Sequence, residues 1–373
     1  MKKIIIFFPS FERGGVELNT INIVKFLKKK KIDVHIVVSK IKEKDKIFLK
    51  KYSTIHHAKI INFPLLPSRF SSSLSSIFEL KKILKKNNYK DSLIFSIQSS
   101  MISILLSKFY GYKIVVRNAA DPISSTIYAD NLFFSSLIFL LRFIFYNFVD
   151  GIITNSKGSA KSLNKFILNK NKIIAIYNPY LNKIMKFKFK KKIQYKKFLS
   201  VGRLCKQKNF ETLIKGYYEF NKIKKNYKLD IVGSGPRKEK LRHLIKKLGL
   251  TKKVKLIPWK KNLKKYYLNS DIFVLTSLYE GLGNVFIDAI NNSLPCIYSK
   301  CKSGPNEILL NNRGGFPIEI KKNIQLKDKM IYVVQNYKHS LSKTYISHKK
   351  LYRFLQMENS KKYFNYFLKI FKS

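Results

Sequence analysis

Acidic residues are few. Twenty-one Asp and Glu stand against 75 Lys and Arg, a formal net charge of +54 over 373 residues. A chain this basic attracts anions at long range, so nucleic acid, anionic lipid and phosphorylated small molecules are the partners that charge alone admits. The excess runs along the whole chain among abundant Ile, Asn and Phe, as A/T-biased coding sequence would also produce. Charge therefore speaks to partners and solubility, not to fold. Cysteine is scarcer still. Cys205, Cys296 and Cys301 form no CxxC pair, which argues against a secreted disulfide framework and suits a reducing compartment. The six histidines include no H-x3-H pair, and His56 and His57 are neighbours that point to opposite faces of an extended segment, so no metal site is expected.

Long apolar runs are missing as well. The start, MKKIIIFFPSFERGG, offers six residues of apolar run before proline and charge. A signal peptide needs roughly 7–15. LFFSSLIFLLRFIFYNF (132–148) falls short of the roughly 20 residues of a membrane span and contains Arg142. A buried amphipathic helix is the expectation there, with a helix lying in a membrane surface as the alternative.

What is present is enough apolar residue, 45%, for sizeable cores, and a length that favours two of them. Continuous Ile/Val/Phe runs at 2–8, 34–39, 60–63, 92–97, 113–118, 151–156 and 172–178 alternate with helix-length segments. A second series follows at 197–204, 228–235, 253–259, 271–277 and 294–299. Unbroken apolar runs separated by helices predict parallel strands covered on both faces. The expected architecture is α/β: two Rossmann-like doubly wound domains facing across a cleft. Their expected limits are 1–178 and 197–350, with a lysine-rich linker at 179–196 and a C-terminal helical segment at 351–373 packing back toward the first domain.

In open α/β sheets ligands bind beyond the carboxyl ends of strands. After the first run, FERGGVEL brings Gly14 and Gly15 to a helix start, where backbone can approach a ligand and free amides face it. An ordinary turn accounts for it equally, since G-x-G-x-x-G is absent. VGRLCKQKNF carries Gly202, Arg203 and Lys208; a guanidinium and an ammonium suit a diphosphate, with chance proximity in so basic a chain as the competing reading. VGSGPRKEK offers Gly233 and Gly235 beside a base or ribose, or simply a turn, with Lys238 where a dinucleotide site has its third glycine.

The stretch SLYEGLGNVFIDAI (277–290) says most. Glu280 suits sugar hydroxyls, the amides of Leu282, Gly283, Asn284 and Val285 suit a phosphate, and Asp288, just over two helical turns on, suits a ribose diol. A capped helix with an exposed acid is the competing reading.

Taken in order, GGVE (14–17), GRLCKQKN (202–209), VGSGP (232–236), YEGLGNVFIDA (279–289) and CKSGPNEIL (301–309) resemble the retaining glycosyltransferases of family 4, of GT-B fold. VVRNAADP (115–122), ITNSKG (153–158) and IYNP (176–179) add smaller landmarks, so the resemblance spans nearly the whole chain. It implies that Arg203 and Lys208 bind a donor diphosphate, Glu280 touches the transferred sugar, and the backbone from Gly281 to Val285 holds its phosphates. It also implies that Asp288, where the family usually has Glu, holds the ribose, and that Gly14 and Gly15 line the cleft from the other domain. Asn118 and Asp121 stand where many relatives place a histidine and become sugar or acceptor contacts. The sequence contains no D-x-D pair, so a metal-free site without cofactor is expected.

The activity so implied is transfer of a hexose or N-acetylhexosamine, with retention, from a nucleotide-sugar (a UDP-sugar by expectation). The acceptor is a lipid-linked oligosaccharide, lipopolysaccharide or capsule precursor, reached at an anionic membrane surface on the cytoplasmic face of the inner membrane. Two other readings stand beside it: a basic nucleic-acid-binding protein, which lacks helix-turn-helix, zinc-finger or RNP signatures, and a nucleotide-binding subunit without activity.

Overall fold

The computed structural model describes residues 1–11, 14–60, 68–98 and 100–373. The chain forms two units. The first comprises Met1–Ala119, Ser136–Asn182 and Phe354–Ser373; the second comprises Ala120–Ser135 and Lys183–Arg353.

In the first unit the strands are β1 (Lys3–Phe7), β2 (Ser10–Phe11), β3 (Asp33–Val38), β4 (Lys40–Ile41), β5 (Thr54–His57), β6 (Ser92–Ser96), β7 (Lys113–Asn118), β8 (Gly151–Thr154) and β9 (Ile173–Ala175). Among the described residues, seven form a parallel sheet in the order β5-β3-β1-β6-β7-β8-β9, and β2 pairs with β4. The order reverses at β1 and β6, the signature of a doubly wound sheet. Ile4, Ile5, Ile6 and Phe7 are fully buried because helices cover both faces, which is why β1 reads as an unbroken apolar run. The C-terminal helix Gln356–Lys372 closes this core: Phe367 packs against Phe95 with ring centroids 4.9 Å apart, beside Tyr363 and Ile370.

In the second unit, β10 (Lys197–Val201), β11 (Lys228–Val232), β12 (Val254–Ile257), β13 (Ile272–Leu275), β14 (Cys296–Ser299) and β15 (Phe316–Ile318) form a parallel sheet. Their order is β12-β11-β10-β13-β14-β15, with the reversal between β10 and β13. Residues 183–196 carry no regular element yet are fastened to this unit. The buried Asp271 carboxylate accepts from the backbone N–H of Gln194, Tyr195 and Lys197 at 3.0, 2.9 and 3.2 Å.

Both sheets are the α/β, doubly wound kind expected. Two strands were not visible as apolar runs: β5 is the polar TIHH, and β15 is a three-residue edge containing Pro317. Of the strand expected at 60–63, residues 61–63 lie outside the described residues.

One expectation is overturned. The helix Leu132–Tyr146 is not buried: of its side chains only Tyr146 is, while Leu137, Ile138, Leu140 and Ile144 are each more than two-fifths exposed. All its residues but Ser135, Ser136 and Arg142 are apolar or aromatic, so it has no polar face to turn outward. Its C-terminal end, at Phe145 and Tyr146, joins the core, and the exposed side chains before it face outward.

Candidate functional site

The reversal between β10 and β13 is where an open α/β sheet opens a crevice, because the loops leaving those two strands diverge to opposite faces. In the second unit those are the loops carrying VGRLCKQKNF and SLYEGLGN.

They are knitted together. The Leu278 N–H donates to the Gln207 carbonyl at 2.8 Å, the Gln207 amide to the Tyr279 carbonyl at 3.0 Å, and the Thr276 hydroxyl to the Asn209 carbonyl at 2.9 Å. Across this seam Lys208 Nζ donates to Glu280 Oε1, an ion pair whose side chains are 14% and 7% exposed. A charge pair so enclosed is held only with further hydrogen bonds. The Ser277 hydroxyl supplies one, donating to the same Oε1 at 2.7 Å. Arg203, by contrast, is exposed on its loop, near enough to oppose electrostatically the upward shift that burial gives the Tyr279 phenol.

A third loop braces the second. The Ser303 hydroxyl donates to the Glu280 carbonyl at 2.7 Å. Next to it, Gly304 has φ of +71°, and a Cβ there would lie 2.7 Å from the carbonyl oxygens of both Gly281 and Leu282. Only glycine fits such a positive φ and so close an approach. Cys301, buried behind them, has its thiol pushed up first by burial and further by the Glu280 charge; its Sγ lies 3.4 Å from the Ser277 carbonyl.

The helix Asn284–Asn291 begins after Gly283, so Asn284 and Val285 form its first turn, and Asp288 lies half-buried on it. Gly233 packs against Gly202, and Gly235 against Leu204. A Cβ on Gly233 would lie 1.8 Å from the Gly202 carbonyl oxygen, and one on Gly235 2.4 Å from the Leu204 carbonyl oxygen, so these glycines let the loops after β10 and β11 approach. The segment Ala120–Ser135 lies along the same loops. Tyr128 stacks on Tyr279 at 6.3 Å with ring planes 8° apart, and Asp130 pairs with Lys206 at 3.5 Å and Arg237 at 3.8 Å. Asp121 is buried and caps the Pro122–Ile127 helix, accepting from the Ser124 N–H at 2.7 Å.

The remaining expected residues belong to the first unit. Asn118, buried, ends β7. Gly14 caps the Gly15–Lys29 helix in extended backbone, φ −165°, a conformation open to any residue. The structure therefore brings together Lys208, Glu280 and the 281–285 backbone, and places Asn118 and Asp121 in different units. Ser277 and Ser303 were missed by sequence reasoning. Both hydroxyls act on Glu280, and only the serine three residues before a loop carboxylate carried a local signal. Among the described residues, no three His, Cys, Asp or Glu side chains come together as a metal site.

The family description "Glycosyl transferases group 1" matches residues 182–350, and "Glycosyltransferase Family 4" matches residues 13–180. The uncharacterized glycosyltransferase MJ1059 of Methanocaldococcus jannaschii is 31% identical over 302 residues, 70% of this chain and 73% of that protein. The chain belongs to the GT-B glycosyltransferases. This glycosyltransferase is also 29% identical over 325 residues, 86% of its own length and 87% of the other's, to a Campylobacter jejuni enzyme. That enzyme is named N-acetylgalactosamine-N,N'-diacetylbacillosaminyl-diphospho-undecaprenol 4-alpha-N-acetylgalactosaminyltransferase. The fold of the present chain matches that of Anabaena Alr3699/HepE in complex with UDP-glucose, with a TM-score of 0.77, 16% identity and coverage of 96% of this chain and 97% of that one. Membership in a transferase family disfavours the reading as a nucleic-acid-binding protein.

Proposed function

We propose that this glycosyltransferase moves a hexose or N-acetylhexosamine from a UDP-sugar onto a lipid-linked or polysaccharide precursor, with retention of configuration and without a metal ion. The supporting observation is that Lys208 and Glu280 meet at the strand reversal of the second sheet, with the 281–285 backbone beside them. The UDP-glucose of the Anabaena neighbour and the undecaprenol-linked acceptor in the Campylobacter enzyme's name lend the donor and acceptor classes.

In this reading Arg203 and Lys208 take the charge that grows on the diphosphate as the anomeric C–O bond breaks. Glu280 orients the sugar through its second carboxylate oxygen, its first being held by Lys208 and Ser277. The acceptor hydroxyl attacks the anomeric carbon from the face the diphosphate leaves, and its proton passes to a donor phosphate oxygen. Asp288 holds the ribose from the helix behind, and Asn118 and Asp121 contact sugar or acceptor. The enzyme works peripherally at the cytoplasmic face of the inner membrane, where its basic surface meets anionic lipid. Among the described residues no helix is long and apolar enough to cross a membrane.

The experiment is a transfer assay against a panel of UDP-sugars with undecaprenol-linked acceptors. Glu280→Ala is expected to lose transfer at least about a hundredfold. Unchanged transfer would remove Glu280 from the site, and nucleotide binding without transfer by the unaltered chain would favour a non-catalytic subunit.

A further inference from the structure

Arg117, the last residue but one of β7, is 3% exposed. Among the described residues it makes one hydrogen bond and no ion pair: Nη2 donates to the Asn178 Oδ1 at 2.7 Å. Its Nε and Nη1, which carry three of the five N–H donors of a guanidinium, meet no acceptor. Enclosing a cation without a counter-charge is strongly unfavourable, and an arginine does not relieve it by shedding its proton. Ordered water would satisfy the donors, yet it would leave the charge unpaired. A buried, unpaired guanidinium therefore points to an oxyanion, phosphate or carboxylate, that matches its planar fork.

The surroundings hold this side chain in place. Asn178 belongs to IYNP, and the carbonyl of Pro179 next to it accepts from the Asn22 Nδ2 of the Gly15–Lys29 helix at 2.7 Å. Two residues beyond Arg117, the Ala119 carbonyl accepts from the Nδ2 of Asn155, just past β8, at 3.0 Å. Asn155 is 4% exposed, and its Oδ1 meets no donor. A buried amide oxygen of this kind suits a hydroxyl. VVRNAADP, ITNSKG and IYNP are thus parts of one polar cluster. It stands at the carboxyl ends of β7 and β8, the edge at which ligands enter open α/β sheets.

We infer that Arg117, with Asn155, binds an anionic sugar: the guanidinium takes its phosphate or carboxylate, and the amide oxygen takes one of its hydroxyls. Within the transfer reading above, that sugar belongs to the acceptor. Binding is measured without transfer, and these residues lie in the other unit from the donor loops, so either claim can fail alone.

The test is the melting temperature of the full chain with N-acetylglucosamine 1-phosphate, with glucuronate and with neutral glucose, at physiological ionic strength. A rise with the first assigns a phosphate-linked sugar, and a rise with the second a sugar acid; glucose is expected to raise it less than either. Arg117→Met removes a buried charge that has no partner, so without ligand it is expected to melt no lower than the native chain. Its rise with the anionic sugar should shrink to a level matching at least about tenfold weaker binding. Arg117→Lys keeps the charge without the fork and is expected to retain a rise smaller than the native one. The inference is overturned if neither anionic sugar raises the native melting temperature more than glucose does, or if Arg117→Met shows the native rise. It is also overturned if Arg117→Met melts below the native chain without ligand, since the guanidinium would then be a strut of the fold.

Discussion

The Ser303 hydroxyl donates to the carbonyl oxygen of Glu280 at 2.7 Å, tying the loop after β14 to the loop after β13. Gly304 continues that tie with its Cα against the Gly281 and Leu282 carbonyls. The motifs YEGLGNVFIDA and CKSGPNEIL are thus parts of one loop packing. Gly304→Ala, with φ of +71° and a Cβ 2.7 Å from two carbonyl oxygens, should destabilise the protein by on the order of 3 kcal/mol, combining backbone strain and steric displacement. Ser303→Ala should cost only about 1 kcal/mol. Melting temperatures of the two variants check the ordering.

Lys208 and Glu280 form an enclosed pair, so removing one partner strands the other. Lys208→Met should destabilise by about 3–5 kcal/mol, and the double variant Lys208→Met, Glu280→Gln should recover part of that loss because no charge is left uncompensated. Denaturant midpoints across the cycle measure it. A double variant as unstable as the sum of the single ones would mean that the pair is not coupled.

Burial, then the charge of His35, lowers the pKa of His56 below its usual 6.5, with Lys3 adding to that and Glu79 and Asp33 acting the other way. Nδ1 of His35 and Nε2 of His56 share a hydrogen bond of 2.8 Å. A histidine with a depressed folded pKa binds its proton more readily when unfolded, so the stability it permits is present above the unfolded pKa of about 6.5 and is lost as pH falls from there through the lower folded pKa. His348, also depressed by burial, acts in the same direction. Melting temperature should fall between about pH 7.5 and 5.5, and His56→Gln should flatten that slope in part.

Cys296 and Cys301 are buried, and burial pushes both thiols up, whereas Cys205 is half-buried. A thiol reagent should therefore modify one cysteine in the native chain and three after denaturation. Mass spectrometry of the labelled peptides should find Cys205 first.

The sheets were legible because strands buried on both faces leave continuous Ile, Val and Phe runs, as in Ile4–Phe7 and Ile272–Leu275. Edge strands such as Phe316–Ile318 need little burial and leave little trace. In the site, Arg203, Lys208 and the Glu280 loop stood out because charge and glycine at strand ends have few structural uses. The serines that hold Glu280 did not, since Ser303 reaches it across 23 residues of chain. The helix at 132–146 was misread for a different reason: apolar residues fill cores, but nothing in a sequence says that a core is there to receive them.

The most direct test of the account is nucleotide binding by Arg203→Ala. Arg203 is exposed, so its removal leaves the fold intact, unlike removal of Lys208. UDP should raise the melting temperature of the native chain, as any ligand of the folded form does. In Arg203→Ala that rise should shrink to a level matching at least about tenfold weaker binding, with the melting temperature lacking UDP unchanged. An equal rise in both proteins would contradict the assignment of the diphosphate to the loops after β10 and β13.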